Sequence, residues 1–138
     1  MGPQRLTGAY AWATLLRTNA KLAFGSDTPV ESPDPFAGLA TAVSREDAGG
    51  QPPGGWRPEE RVTREQALAG FTTGAAYASF AETKTGRIAP GLWADFILLD
   101  RDPLTATPAD LRKARVSETW VGGRKVFSTK PTGNQAQP

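Results

Sequence analysis

Asp27 is the residue in this chain best placed to do chemistry. It ends the stretch Leu22-Ala23-Phe24-Gly25-Ser26-Asp27, and Thr28-Pro29 follows at once. A carboxylate at the carboxyl end of a buried parallel strand stands where α/β barrels and open sheets build their active sites. There it can hold a metal or take a proton from a metal-bound water. An Asp before Thr-Pro suits a second role equally, as a turn or cap residue bonded to its own backbone. The sequence has no histidine and no cysteine. Ser26 therefore has no imidazole to activate it, which excludes a serine triad within the chain. A thiolate zinc site is excluded too.

Other polar candidates read more simply. Asp95, Asp100 and Asp102 flank an apolar run beside Pro or turn residues, where Asp is favoured for its local hydrogen bonds. Arg124 and Lys125 with Trp120 imitate a nucleic-acid platform, but a solvated hairpin face accounts for them. Trp56 lies in a Gly/Pro-rich stretch, residues 47–58. It either pins that loop to the body or closes over a ligand.

These residues need elements to hold them. Apolar spacing predicts a helix over residues 9–20 that closes near Asn19, then a strand at 21–25 with small and apolar residues on both faces. Helix, short loop and buried strand form half of an α/β unit. A second helix begins with Asp34 as N-cap and Pro35 at its first position. It turns Phe36, Leu39 and Val43 to one side, and Gly38 marks a close approach. Thr63 and Gln66 have capping-box spacing ahead of a third helical stretch, with Leu68, Phe71, Ala75 and Ala78 along one face. Gly74 there permits tight packing or ends a first segment. Two β-like pieces flank Pro90-Gly91, with residues 95–100 as a buried strand. Gly122-Gly123 suits a two-residue hairpin turn between Trp120-Val121 and Val126-Phe127, because primed turns need positive φ. Residues 128–138 read as a polar tail.

Composition sets limits. A net charge of +2, with scattered basic residues and a pI near 9.2, gives nucleic-acid binding little support. No apolar run at residues 1–10 suggests a leader, and no stretch approaches the ~20 residues of a membrane span. The expected location is cytoplasmic, in keeping with the lack of cysteine. Leu, Ile, Val and Phe supply under a fifth of the residues, with alanine making up much of the rest. Such a chain folds, yet lacks part of its packing surface.

Five stretches, in order, carry a resemblance. They are GAYAWATLL, LAFGSDTPVESPDPFAGLATAVSR, TREQALAGFTTGAAYASFAE, GRIAPGLWADFILLDRDP and ETWVGGRKVF. Together, over roughly residues 6–127, they resemble the end of metal-dependent amidohydrolases of the amidohydrolase-3 group, which includes N-substituted formamide deformylases. The resemblance implies an α/β protein. Residues 1–80 would be the end of a (β/α)8 barrel, with 21–25 as strand eight. Residues 81–127 would be the C-terminal share of a small β-sandwich-like domain built from both chain ends.

The resemblance further implies that Asp27 contacts a divalent metal, zinc by expectation, or its water. It would then serve as the base in hydrolysis of a non-peptide, amide-like carbon–nitrogen bond. The family's histidine ligands have no counterpart here, so one carboxylate is left where a catalytic zinc needs about three protein ligands. The expectation is a C-terminal fragment that binds no metal tightly and is inactive alone. Its partners would be a small amide-like substrate in the whole enzyme and an N-terminal polypeptide encoded upstream. Two rival expectations are a non-catalytic complementing piece and an unrelated β-rich binding module.

Overall fold

The computed structural model of the chain describes residues 2–129. In order it has helices α1 (Trp12–Arg17), α2 (Pro35–Ser44), α3 (Arg64–Phe71) and α4 (Thr73–Ala78), strand β1 (Phe96–Leu99), helix α5 (Pro108–Leu111) and strands β2 (Val116–Val121) and β3 (Arg124–Ser128). Short 3-10 turns lie at Pro3–Leu6 and Pro58–Glu60. It is an α/β chain with one small antiparallel sheet, ordered β1-β2-β3.

Local side-chain chemistry sets three of the five helix starts. The Asp34 carboxylate accepts the Phe36 N–H at 2.9 Å, and Pro35 takes the first position of α2, where a missing N–H costs nothing. Thr63 and Gln66 form a complete capping box at the start of α3. Helix α1 is shorter than the 9–20 expected, but it closes as expected. Asn19 takes a left-handed conformation (φ 62°), Ala20 N–H reaches Leu15 O at 3.1 Å and Asn19 N–H reaches Leu16 O at 3.0 Å. This pair of bonds satisfies carbonyls that the helix end would otherwise leave open. The third stretch breaks into α3 and α4 at Thr72 (φ −124°, ψ −88°), whose hydroxyl donates to Leu68 O at 2.7 Å. Gly74 serves the other expected purpose, close packing. A methyl group there would strike the Leu22 carbonyl oxygen.

The core lies among α2, α3 and α5. Leu39, Ala40, Ala42, Val62, Ala67 and Leu111 pack together, and Trp12, Leu16, Phe24 and Phe71 close over them from outside. Gly38 lets α2 come so near α3 that an added Cβ would sit 2.8 Å from the Phe71 ring. The α5 turn has no counterpart in the periodicity reading. Thr107 caps it by accepting the Asp110 N–H at 3.1 Å, and it delivers Leu111 to full burial. From residues 81–127, Leu111 joins this core and Ala106 packs against it.

Three strand expectations change. Residues 21–25 are extended but pair with no strand among the described residues. The backbone bond they form to the core goes to a helix, Phe24 N–H to Gly70 O at 3.0 Å. A strand needs a neighbour to make a ladder, and no described strand lies alongside. The run Phe96–Leu99 does form β1, antiparallel to β2, but it is not buried. Ile97 is 42% and Leu98 46% exposed, and Phe96 and Leu99 are only half-buried. No strand forms just before Pro90. The hairpin is as read, with Gly122 and Gly123 at φ 55° and 75° between β2 and β3. Of the tail expected from residue 128, Ser128 closes β3 and Thr129 N–H bonds to Ser117 O at 3.0 Å. Residues 130–138 lie outside the described residues.

Candidate active site

Asp27 is carried by the extended segment that leaves α1. Phe24 anchors this segment. Its ring lies 5.3 Å from that of Trp12 and 5.6 Å from that of Phe71, both tilted. Gly70 makes the approach possible, since a side chain there would collide with the Phe24 ring. Beyond the anchor the chain turns sharply. Asp27 adopts φ 52°, in the left-handed region that non-glycine residues enter at a cost and Asp enters more readily than most. The turn is closed by main chain, Val30 N–H to Asp27 O at 2.8 Å. The Ser26 and Thr28 hydroxyls bond to each other at 2.7 Å.

The Asp27 side chain takes no part in this. It is exposed and its carboxylate has no hydrogen bond among the described residues, so it does not cap its own turn. Immediately before it, Phe24, Gly25 and Ser26 form part of the wall of a cavity of about 630 Å³, completed by Trp12, Phe71, Asp34 and others. Asp27 itself is not a wall residue. Among the described residues no three His, Asp or Glu side chains converge as a metal centre would require.

The other polar candidates are occupied. Asp95 accepts Gly122 N–H at 2.7 Å and the Thr85 hydroxyl at 3.2 Å, tying the hairpin turn to the chain before β1. Asp102 accepts Leu104 N–H at 2.9 Å as an ordinary turn residue. Asp100 accepts from Arg115 N–H and from Arg101, each at 2.9 Å, and these donors hold its carboxyl far below the usual range. Lys125 pairs with Glu118 at 3.0 Å, and Trp120 Nε1 donates to the same carboxylate at 2.9 Å. That corner is a cross-strand ion pair.

Sequence reasoning missed a buried charged cluster beside α1. Glu60 is 3% exposed. Its carboxylate accepts the Thr14 N–H at 2.8 Å and the Thr14 hydroxyl at 2.5 Å, supplying from across the fold the cap that α1 lacks locally. These hydrogen bonds hold its carboxyl below the ordinary value. Arg57 donates to Leu6 O and Ala9 O, at 2.5 and 2.8 Å, and fixes the approach to the same helix. Arg45 is buried with its guanidinium 4.3 Å from the Trp12 ring and 5.3 Å from that of Trp56, and burial lowers its pKa. Trp56 is held by main-chain and side-chain bonds to Arg45, at 2.8 and 3.1 Å. These bonds pin the loop to the body. A Glu in a PEE turn carries no sequence sign of burial, because its partner lies 46 residues away.

Comparison with known proteins then decides the family. A model described as the Amidohydrolase family matches residues 1–127. The chain belongs to the amidohydrolase family. It is 33% identical over 127 residues to the protein YtcJ of Bacillus subtilis, covering 92% of this chain and 24% of that protein. It is 34% identical over 121 residues to an N-substituted formamide deformylase of Arthrobacter pascens, covering 88% of this chain and 21% of that one. Among solved structures, an uncharacterized metal-dependent hydrolase of Pyrococcus horikoshii superimposes with a TM-score of 0.67 at 31% identity, covering 78% of this chain and 22% of that one. This amidohydrolase chain thus spans a quarter or less of each of these relatives.

Proposed function

We propose that these residues are the C-terminal part of an enzyme that hydrolyses amide-like, non-peptide carbon–nitrogen bonds, with Asp27 as its acid–base carboxylate. The observation that carries the reading is the state of Asp27. A scaffold of packed aromatic rings holds it in a left-handed turn, and its carboxylate is left without a partner. Backbone strain at a residue whose side chain serves no local purpose is typical of functional positions. In this role the carboxylate takes a proton from water as its oxygen bonds to the amide carbon. It returns that proton to the nitrogen as the carbon–nitrogen bond breaks.

The barrel end and the shared β domain belong to the same reading, with segment 21–25 as the strand that other strands would flank. So does a divalent metal, zinc by family expectation. The donors present do not fit one. The chain has no His or Cys, and no acidic cluster forms among the described residues. We therefore assign these residues no step through a metal, and infer that they are not competent alone. The β-rich module is not favoured, because Leu111, from the region that would compose it, is buried against α2 and α3.

The reading is tested by grafting. Residues 1–127 replace the matched segment of the Arthrobacter pascens deformylase, and hydrolysis of an N-substituted formamide is measured. Asp27→Asn is expected to lower kcat/KM by about 10²–10⁴-fold at an unchanged unfolding midpoint. Activity within threefold of the parent graft would remove Asp27 from the chemistry. The chain alone, loaded with zinc and dialysed, is expected to retain well under one equivalent. Stoichiometric zinc would overturn the inference of incompetence.

A further inference from the structure

Arg45 closes α2 and is 5% exposed, with its backbone in the left-handed region at φ 63°. Burying a guanidinium is costly unless partners surround it. It enters no ion pair among the described residues. Glu60 acts on its charge, but the Glu60 carboxylate is bonded to Thr14 and lies against Arg17 and Arg57. The Arg45 Nε donates to the Trp56 carbonyl at 3.1 Å, while Nη2 is buried with no hydrogen-bond partner among the described residues. An apolar side chain of similar bulk would avoid that cost. The guanidinium has an indole instead, lying 4.3 Å from the centre of the Trp12 ring. The Trp12 ring in turn lies 5.3 Å from that of Phe24, on the segment that ends at Asp27.

We propose that Arg45 is a positioning residue for the hydrolytic reaction: its cation fixes the Trp12 ring, and through Phe24 that ring sets where the turn presents Asp27. The inference rests on the reading of Asp27 as the acid–base carboxylate and adds a second residue to it. Two observations favour this role over plain support of the loop at 47–58. The Arg45 carbonyl accepts the Trp56 N–H at 2.8 Å, a main-chain bond that any residue at position 45 could supply. The guanidinium also lies closer to Trp12 than to Trp56, 4.3 against 5.3 Å, so its charge acts mainly on the ring that touches Phe24. An indole is the aromatic group that a desolvated cation holds best. Asp27 needs such outside support, because its carboxylate has no hydrogen bond among the described residues. Its position therefore depends on the packing behind it. A small displacement of a reacting group is enough to cost rate.

The test uses the graft of residues 1–127 into the Arthrobacter pascens deformylase. Arg45→Met keeps the bulk and removes the cation. It is expected to lower kcat by about tenfold or more, with KM within about threefold of the parent graft. Arg45→Lys, which keeps a charge for the ring, should hold kcat within about threefold of the parent. In a Trp12→Leu background the route is already cut, so Arg45→Met should change kcat by less than about twofold further. A double variant in which the two single losses multiply overturns the proposal. So does a rise in KM at unchanged kcat, or an Arg45→Lys graft as slow as Arg45→Met. Should Arg45→Met not fold, Trp12→Phe decides, since it keeps a ring against Phe24 and weakens the cation contact. Its kcat is expected to fall by about threefold or more, and a kcat within about twofold of the parent overturns the proposal. If Asp27→Asn slows the graft and Arg45→Met does not, this inference falls and the functional reading stands. A graft that hydrolyses nothing, or that Asp27→Asn leaves unchanged, overturns both.

Discussion

Helices α2, α3 and α5 enclose Leu111 completely, whereas the sheet leaves Phe127 48% and Val126 56% exposed. Both regions draw on the same kinds of residue. The difference is what lies opposite. Helix α2 has α3 and α5 against it, with Gly38 removing the last obstacle to close approach. The sheet has three strands and a well-formed turn, and its residues are half-buried at most. Complete burial of apolar side chains is therefore confined to the helical side, while the strands are held by their ladders and by pairs such as Phe96 stacked on Trp120 at 5.5 Å. A sheet of this kind gains stability in water only when a layer covers one face.

This contrast can be broken at its strong end first. Leu111→Ala should cost about 2–5 kcal/mol, the range for truncating a fully buried leucine, measured by urea unfolding of the chain. A loss under ~1 kcal/mol would mean that the core does not depend on α5. Next comes the charged support of α1. Glu60 and Asp100 have carboxyls held below their ordinary range, so each favours the folded chain in full above the unfolded value near ~4. That contribution is lost as pH falls through the folded-state values. The chain is expected to lose stability steadily below about pH 5. Glu60→Gln should lower the midpoint at neutral pH and flatten this acid slope, read from urea midpoints between about pH 7 and 3. An unchanged slope would show that Glu60 does not couple protonation to folding. The smallest effect belongs to the sheet. Val126→Thr should stay within about ±0.5 kcal/mol in the same assay, because its side chain already meets water. A larger loss would mean that something covers this face.

What could be read in advance follows the range of the interactions. Asp34 with Pro35, Thr63 with Gln66, Asn19, and Gly122 with Gly123 act within four or five residues, and each works as its chemistry predicts. Asp27 stands out by its type and by its place after an apolar run. The misses depend on partners far along the chain. Residues 21–25 have the composition of a buried strand, but no described strand lies beside them to pair with. The run Phe96–Leu99 reads as buried because burial on both faces is the usual reason for four apolar residues in a row. The α5 turn is too short for any period to show, although Thr107-Pro108 signals its start. Glu60 looked like surface because its partner, Thr14, joins it only through the fold.

The break in the helical stretch at Thr72 has a mechanical consequence. By ending α3 there, it leaves the Gly70 carbonyl without its usual intrahelical donor, and the Phe24 amide takes that place. The amide is thereby already engaged. A strand that recruited it would have to compete with a helix terminus. Slow deuterium uptake at position 24 would mark this bond.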